Sequence, residues 1–208
     1  AISTFHHEDI NAIMKNPDIT EDDYYDIGQK LLRLKDNTLN FNPFIHSIYI
    51  YNNYSKTYFG TYYRMLTRDE TLSSALSKYK TVPKIMPIAR KFDTGYYGNN
   101  KLEDVFTYVM YDSVDKYNQL DDAVFVNVKE EWVISNVKTI GRASSSNQDN
   151  VYILTNKSEV IGEMTSNESM SKELQTIRSR YIDSRIKNGE NFGLFTGKMG
   201  GNKYFITF

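Results

Sequence analysis

Two stretches of the same kind follow one another in this chain, and each carries a β-hairpin with a small polar turn, then a helix, then further strands. The first stretch runs from residue 46 to 128 and the second from 151 to 208. Alternating apolar residues define the strands, because successive side chains of a strand point to opposite faces of a sheet. Connections between neighbouring strands are mostly short, which favours antiparallel pairing and an α+β fold.

A helical segment precedes both stretches. Apolar spacing predicts a helix over residues 3–15, ended by Pro17, and a second helix that begins at Thr20, where Asp23 forms a capping pair. The apolar positions of the second helix are Tyr24, Ile27, Leu31 and Leu34. We favour packing of this stripe on the chain's own sheet over a dimer seam or a mechanical link to a membrane span.

In the first stretch the pattern predicts strands at residues 46–51, 57–64, 105–112 and 123–128, and helices at 69–79 and 130–140. On the first strand, Ile48 and Ile50 are predicted to face one way, and Ser47, Tyr49 and Tyr51 the other. Residues 82–87 are predicted to be irregular or an edge strand, because prolines cannot donate to a sheet. A loop rich in Gly, Asn and Tyr is predicted over 93–100.

Residues 141–150 are small and polar, and they form the best candidate for a domain boundary. We therefore predict a first domain over 1–140, which includes the N-terminal helix, and a smaller second domain over 141–208. In the second domain the pattern predicts a hairpin over 151–164 and a helix that starts at a capping box of Thr165 and Glu168. The closing strand pair is predicted at 192–199 and 203–208.

Composition excludes several classes of function. The chain has 25 Lys and Arg against 26 Asp and Glu, so it has no overall field to hold nucleic acid or an anionic membrane. It contains no cysteine, which rules out disulfides and thiolate chemistry. No apolar run approaches the roughly 18 residues that span a bilayer, and no signal peptide is recognisable. We expect the chain to be an excised soluble piece of a longer protein.

The sequence contains no established catalytic motif, and we predict neither a catalytic residue nor an enzyme activity. His6 and His7 are adjacent and would point to different sides of a helix, so no metal site is predicted, and no cofactor either. Basic residues between 178 and 187 are accompanied by acidic ones, which indicates a solvated face and no nucleic-acid partner.

Four apolar segments share one pattern: PFIHSIYIYN at 43–52, FTYVMYD at 106–112, VFVNV at 124–128 and VYILTNKSEVI at 151–161. They resemble the strands of extracytoplasmic double Cache sensor domains, which are tandem PAS-like domains of bacterial membrane receptors. The resemblance implies an α+β fold with tandem PAS-like antiparallel sheets and a long N-terminal helix. Ser158 departs from the family, which usually has Gly in this hairpin turn.

The resemblance also implies a function. Such domains sense small molecules at the extracytoplasmic face of the bacterial cell membrane, as input domains of AraC-type transcription regulators or sensor histidine kinases. It implies membrane anchoring of the full-length protein and leaves a homodimer open. A stand-alone exported binding or adhesion module without a transmitter is the alternative, and a hydrolase of unfamiliar type is a third class.

In a PAS-like fold, a ligand pocket lies between one face of the sheet and its covering loops and helices. We therefore predict Arg90, Tyr96, Tyr97, Tyr108 and Asp112 as ligand-binding residues for an amino-acid-like or other small polar ligand. Arginine can hold a carboxylate through two hydrogen bonds, aspartate can accept from an ammonium group, and tyrosine adds a flat wall with a polar tip. The alternatives are a surface or rim salt bridge for Arg90, a strand-end cap or turn residue for Asp112 and a mobile surface loop for the two adjacent tyrosines.

Overall fold

The structure is a computed structural model that describes residues 8–62, 65–94, 101–115, 119–141, 151–154, 160–164, 176, 178–188, 194–199 and 202–207. The chain divides into two compact units, Ala1–Val133 and Ile134–Phe208. The domain boundary expected after residue 140 stays a prediction. Within the described residues, no helix has the length and apolar composition that crossing a lipid bilayer requires.

Two helices precede the first strand. α1 spans Glu8–Met14, and α2 spans Asp23–Leu34 and continues as a π-helical turn over Lys35–Leu39. The expected capping pair at the start of α2 is confirmed, because the backbone N and Oγ1 of Thr20 donate to Asp23 Oδ2 at 2.8 and 2.9 Å. The helical segment is therefore interrupted between α1 and α2, as Pro17 predicts.

A six-stranded antiparallel sheet forms the centre of the first unit. Its strands are β1 (Ile45–Asn52), β2 (Thr57–Gly60), β3 (Met65–Leu66), β4 (Pro87–Asp93), β5 (Leu102–Tyr111) and β6 (Ala123–Lys129). The strands lie in the order β3-β2-β1-β6-β5-β4, so β1 pairs with β6 and joins the first hairpin to the last three strands. α3 (Glu70–Leu76) lies between β3 and β4, and α4 (Glu130–Gly141) follows β6. The predicted fold class, α+β with an antiparallel sheet, is confirmed.

The two faces of this sheet carry separate apolar cores. The helix face is the one covered by α1 and α2, and its core includes Ile13, Ile27, Ile48, Met110 and Val126. The α3 face is the opposite one, and its core includes Tyr49, Leu72, Phe92, Val109 and Phe125. The predicted alternation along β1 is confirmed, because Ile48 and Ile50 belong to the core of the helix face and Tyr49 to that of the α3 face.

The apolar stripe of α2 packs on the chain's own sheet. Ile27, Leu31 and Leu34 are buried in the core of the helix face, together with residues of β1, β5 and β6. Tyr24, which was predicted to belong to the same stripe, is exposed. The favoured interpretation, packing within the chain and no dimer seam, is confirmed for the three buried positions.

The second unit contains two antiparallel strand pairs in its described residues. β7 (Val151–Leu154) pairs with β8 (Val160–Met164), and β9 (Leu194–Met199) pairs with β10 (Asn202–Thr207). A π-helical turn at Arg178–Ile182 and the short helix α5 (Asp183–Lys187) precede β9. Both predicted hairpins are confirmed. The capping box expected at 165–168 lies outside the described residues, and the tandem organisation stays a prediction.

Candidate functional site

A row of polar side chains crosses the otherwise apolar α3 face. Ser47 of β1, Asn127 of β6 and Thr107 of β5 are fully buried, and Asn127 is the register partner of both others. Thr107 Oγ1 donates to Asn127 Oδ1 at 2.6 Å, and Asn127 Nδ2 donates to Ser47 Oγ at 2.9 Å. Because buried polar groups require partners, this chain of hydrogen bonds fixes the three side chains relative to one another.

Arg90 extends the polar row onto β4. Its side chain is only 2% exposed. Nε donates to Thr107 Oγ1 at 2.8 Å, and Nη2 donates to Asn127 Oδ1 at 3.2 Å. Burial lowers the pKa of Arg90 from its ordinary value, while Asp69 opposes that shift. A guanidinium starts from so high a pKa that it remains charged in proteins. A permanent positive charge is therefore buried on the α3 face of the sheet.

Asp69 supplies the compensating negative charge. Its Oδ2 lies 3.1 Å from Arg90 Nη1, and its side chain is 10% exposed. The same carboxylate caps α3, because Oδ1 accepts from the backbone N of Leu72 at 2.8 Å and from Thr71 Oγ1 at 2.9 Å. Arg90 Nη1 also donates to Thr71 Oγ1 at 2.6 Å. These contacts fasten the first turn of α3 to the edge strand of the sheet.

Aromatic side chains surround the charged pair. The guanidinium carbon of Arg90 lies 5.2 Å from the centre of the Phe92 ring. The ring of Tyr58 lies 4.8 Å from that of Tyr51 and 5.8 Å from that of Phe125. Burial raises the pKa of Tyr58 to about 12, so its hydroxyl stays protonated at neutral pH and remains a hydrogen-bond donor.

A β-bulge turns His46 toward this face of the sheet. The pairing of β1 with β6 shifts between Ile45 and Ser47, which leaves His46 as the extra residue. Such bulges re-aim a side chain relative to the regular alternation. The imidazole packs on Phe92, with 4.4 Å between ring centres, and on Tyr62, with 5.2 Å. His46 and Ser47 therefore lie on the same face although they are neighbours in sequence.

The contacts of His46 are compatible with its uncharged form. Nδ1 lies 3.0 Å from Ser47 Oγ, and Nε2 lies 3.5 Å from Glu103 Oε2. Since Ser47 Oγ already accepts from Asn127, its own hydrogen is available to donate to Nδ1 of a neutral imidazole. The Nε2–H group then points at the carboxylate. A protonated imidazole would have to reverse the Ser47 hydroxyl, which is buried.

Stability should therefore depend on the protonation of His46. Burial lowers the pKa of His46 below its ordinary 6.5; Glu103 opposes the shift, and Lys129 and Arg90 support it. The unfolded chain binds this proton more readily than the folded one, so the contribution is fully present above about pH 6.5 and is lost as the pH falls. Between about pH 6.5 and 5, we expect the free energy of unfolding to fall more steeply in the wild type than in His46→Gln, by up to about 1.4 kcal/mol per pH unit. Urea denaturation at each pH measures this difference, and parallel curves would contradict it.

An open groove lies beside the charged pair, between α3 and β4. Its volume is about 330 Å³, which is near the lower end of the range for small-molecule pockets, about 300 Å³ and above. The groove is lined by Glu70, Thr71, Ser74, Ala75, Lys78, Ala89, Arg90 and Lys91. Hydroxyl groups and cations thus meet at one place on the surface, next to the buried guanidinium. This combination suits a small ligand that carries a carboxylate.

The structure separates the predicted ligand-binding residues. Arg90 lies on the α3 face, where its side chain is buried and forms an ion pair with Asp69 beside the groove, and its role as a ligand contact stays a prediction. Tyr108 is half-buried against the core of the helix face, on the other side of the sheet. Asp112 is exposed just after β5. Tyr96 and Tyr97 lie outside the described residues. Within the described part of the chain, only Arg90 of these five belongs to the polar row.

Asp112 lines a second groove, of about 360 Å³, at the end of β5. The other lining residues are Lys15, Asn53, Tyr54, Ser113, Asp121 and Asp122. Burial raises the pKa of Asp122, although a hydrogen bond from the backbone of Asn53 lowers it. Across the described ranges, no group of three or more His, Asp or Glu residues is placed to hold a metal ion.

Sequence analysis did not select the residues that surround Arg90. Thr107 stands between Val105 and Val109 on one face of β5, and Ser47 and Asn127 each have an apolar neighbour on the same face, Tyr49 and Phe125. A polar residue at such a position needs a partner, and that is the signal that could have identified the row. Asp69 gave only the signal of a helix start.

No family model matches the chain, and no curated protein matches it. Among solved structures, the chain is similar to the sensory domain of the Campylobacter jejuni chemoreceptor Tlp3 with isoleucine bound. The identity is 12% and the TM-score 0.41, over 97% of this chain and 76% of that one. The ligand-binding domain of the same receptor in complex with L-norvaline has 12% identity and a TM-score of 0.42, over 95% and 72%. These similar structures are sensory domains, and the amino acids are their ligands.

Proposed function

We propose that this chain is an extracytoplasmic sensor domain that binds a small polar ligand and passes a signal across a bacterial membrane. The observation that carries the proposal is the buried guanidinium of Arg90, held beside a groove on one face of a PAS-like sheet. A buried ion pair is weak evidence for stability, because apolar side chains of similar volume often stabilise a fold as well or better. A guanidinium held in a fixed position is well suited to recognising a carboxylate.

The class of ligand follows from the groups around the groove. Arg90 would bind a carboxylate, and Thr71 and Ser74 of α3 and Lys78, which follows α3, offer further donors. We therefore propose an amino-acid-like ligand or another small carboxylate. Tyr96 and Tyr97 stay in the proposal as predicted contacts. Tyr108 and Asp112 remain predicted ligand contacts as well, but they would have to act away from Arg90, on the helix face and in the second groove.

A ligand screen tests the proposal on the purified chain. The panel contains the amino acids, including isoleucine, valine and norvaline, and small mono- and dicarboxylates. A ligand at 100 times its Kd stabilises the folded state by about 2.7 kcal/mol, which is a rise in Tm of roughly 5 to 10 °C. We expect at least one compound to give such a shift, and we expect Arg90→Lys to lose most of it, because lysine lacks the planar fork of donors.

The matched control is Arg33→Lys. Arg33 also pairs with an aspartate, Asp9, but it lies on α2 and its side chain is 54% exposed. The wild type and Arg33→Lys should therefore respond equally to the same compound. A shift of equal size in Arg90→Lys, or a panel without any hit, would speak against ligand binding at this face of the sheet.

The output of the sensor is part of the same proposal. We propose that the chain is the membrane-anchored input domain of a transcription regulator or a histidine kinase, and a stand-alone exported module is the alternative. α4 begins in the first unit and continues into the second, so it is the proposed route of the signal along the chain. Sequencing the full-length gene separates the two functions. Apolar spans of about 20 residues on both sides support the receptor, and their absence supports the exported module.

A further inference from the structure

The guanidinium of Arg90 is anchored without the help of Asp69. Nε is held by Thr107 and Nη2 by Asn127, both on strands inside the sheet. Asp69 contacts only Nη1, at 3.1 and 3.3 Å. Charge-assisted N–H···O bonds are usually shorter, about 2.7 to 2.9 Å. Two of the three guanidinium nitrogens are thus held by the sheet, and Asp69 contacts only the third.

Asp69 is also held in place without the help of Arg90. Oδ1 accepts from the backbone N of Leu72 and from Thr71 Oγ1, which caps α3. Among the described residues, the closest hydrogen-bond contact of Oδ2 is the one with Arg90 Nη1. Exchange of this one contact for another carboxylate would leave the cap of α3 intact. Both partners of the ion pair therefore keep their other bonds when the pair opens.

The groove between α3 and β4 leads to the same place. Arg90 and Thr71 both line it, and Thr71 Oγ1 accepts from the same Nη1 that Asp69 contacts, so a small carboxylate that enters the groove approaches this nitrogen. Asp69 is tethered beside this nitrogen. A tethered group competes at a high effective concentration, of the order of millimolar for flexible links, and it lowers the apparent affinity of a free competitor.

We propose that Asp69 is a built-in competitor that occupies the carboxylate-binding position of Arg90 and sets the threshold for the ligand. The inference rests on the proposed function, since it assumes that Arg90 receives the ligand. A ligand carboxylate that takes Nη1 removes the ion pair between α3 and β4. Occupancy of the site by the ligand thereby decides whether this ion pair attaches α3 to β4. The attachment of α3 to β4 is the feature that differs between the empty and the occupied state.

The test uses sodium acetate as the probe and Asp69→Asn as the variant. Asparagine caps helices as well as aspartate does, so the variant removes the charge and keeps the cap. We expect acetate to bind Asp69→Asn at least about tenfold more tightly than the wild type, in a calorimetric titration at constant ionic strength. Asp9→Asn, which removes the carboxylate paired with Arg33, should bind acetate as the wild type does. Asp69→Ser also keeps a capping side chain and serves should the first variant not fold.

Each outcome decides the inference. Equal acetate affinity in Asp69→Asn and the wild type would overturn it, and so would a gain that persists when Arg90→Lys is added to Asp69→Asn. A metabolite that shifts the Tm of the wild type, combined with unchanged acetate affinity in Asp69→Asn, would leave the proposed function standing and reject the competitor. A tenfold gain that requires Arg90, combined with a ligand panel without a hit, would support the competitor and reject the sensor.

Discussion

Replacement of Asp69 by alanine is expected to lower the free energy of unfolding of the first unit by about 3 to 5 kcal/mol. The substitution leaves a guanidinium whose side chain is 2% exposed without its counter-charge. It also removes the N-cap of α3, and such caps contribute about 1 kcal/mol. α3 has only seven residues, which is too short to be stable without its attachments. Urea denaturation of the purified chain at neutral pH measures the loss.

Two further variants show that burial of the charge is the cause. Asp9→Ala removes the partner of Arg33, which is largely exposed, and should cost about 1 kcal/mol or less. Adding Arg90→Met to Asp69→Ala should recover part of the lost stability, because no unpaired charge then remains in the interior. Equal losses of stability in Asp9→Ala and Asp69→Ala, or no recovery in the double variant, would show that the pair of Arg90 and Asp69 contributes no more to stability than a surface ion pair.

Asn127→Leu is expected to lower the free energy of unfolding by about 3 kcal/mol or more. The side chain of Asn127 bonds three buried partners, Arg90, Thr107 and Ser47, and leucine can bond none of them. Each buried polar group that loses its partner costs about 1 to 3 kcal/mol. The same denaturation experiment measures the loss, and the thermal midpoint of the variant should fall with it.

The controls for Asn127→Leu vary either the exposure or the partners of the residue. Asn40→Leu makes the same change at an exposed position, where surface substitutions cost about 0.5 kcal/mol or less. The triple variant that adds Thr107→Val and Ser47→Ala removes two of the orphaned groups, and it should be more stable than Asn127→Leu alone. If Asn127→Leu were as mild as Asn40→Leu, the polar row would not contribute to the fold.

Local pattern was sufficient to predict most elements of the first unit. The bounds of β1, β5 and β6 were predicted to within a few residues. Their apolar residues alternate between the core of the helix face and the core of the α3 face, which gives a clear strand pattern. The same applies to α2, whose period of buried residues follows the turn of a helix. Two helix starts were also predicted within a few residues, at Thr20 for α2, which begins at Asp23, and at residue 69 for α3, which begins at Glu70.

β4 was the element that pattern reasoning missed. Its inward side chains are Ile88, Arg90 and Phe92, so a charged residue stands where alternation predicts an apolar one. Pro87 opens the strand and lacks a backbone donor, which indicated an irregular segment. The arginine is stabilised there only by partners from other strands and from α3. Periodicity within one segment carries no information about such partners, and the strand was therefore not recognised.

The same physical reason limited prediction of the site. Arg90 was selected because an arginine suits a carboxylate, but Asp69 and Asn127 are 21 and 37 residues away in sequence. They meet because β6, β5 and β4 are neighbours in the sheet, and strand order is a property of the whole fold. Regular alternation could not have predicted the face of His46 either, since a bulge adds a residue without any change in local composition.

The position of β4 at the outer end of the sheet has a consequence for the behaviour of the protein at high concentration. A strand at such a position offers its backbone to other chains as a template for cross-β aggregation. Pro87 has no amide hydrogen to contribute, and Lys91, whose side chain is exposed, places a charge that repels a second copy of itself. The segment that carries Arg90 thus also protects the domain against insoluble assembly. Substitutions that remove the charges of this segment should favour such assembly.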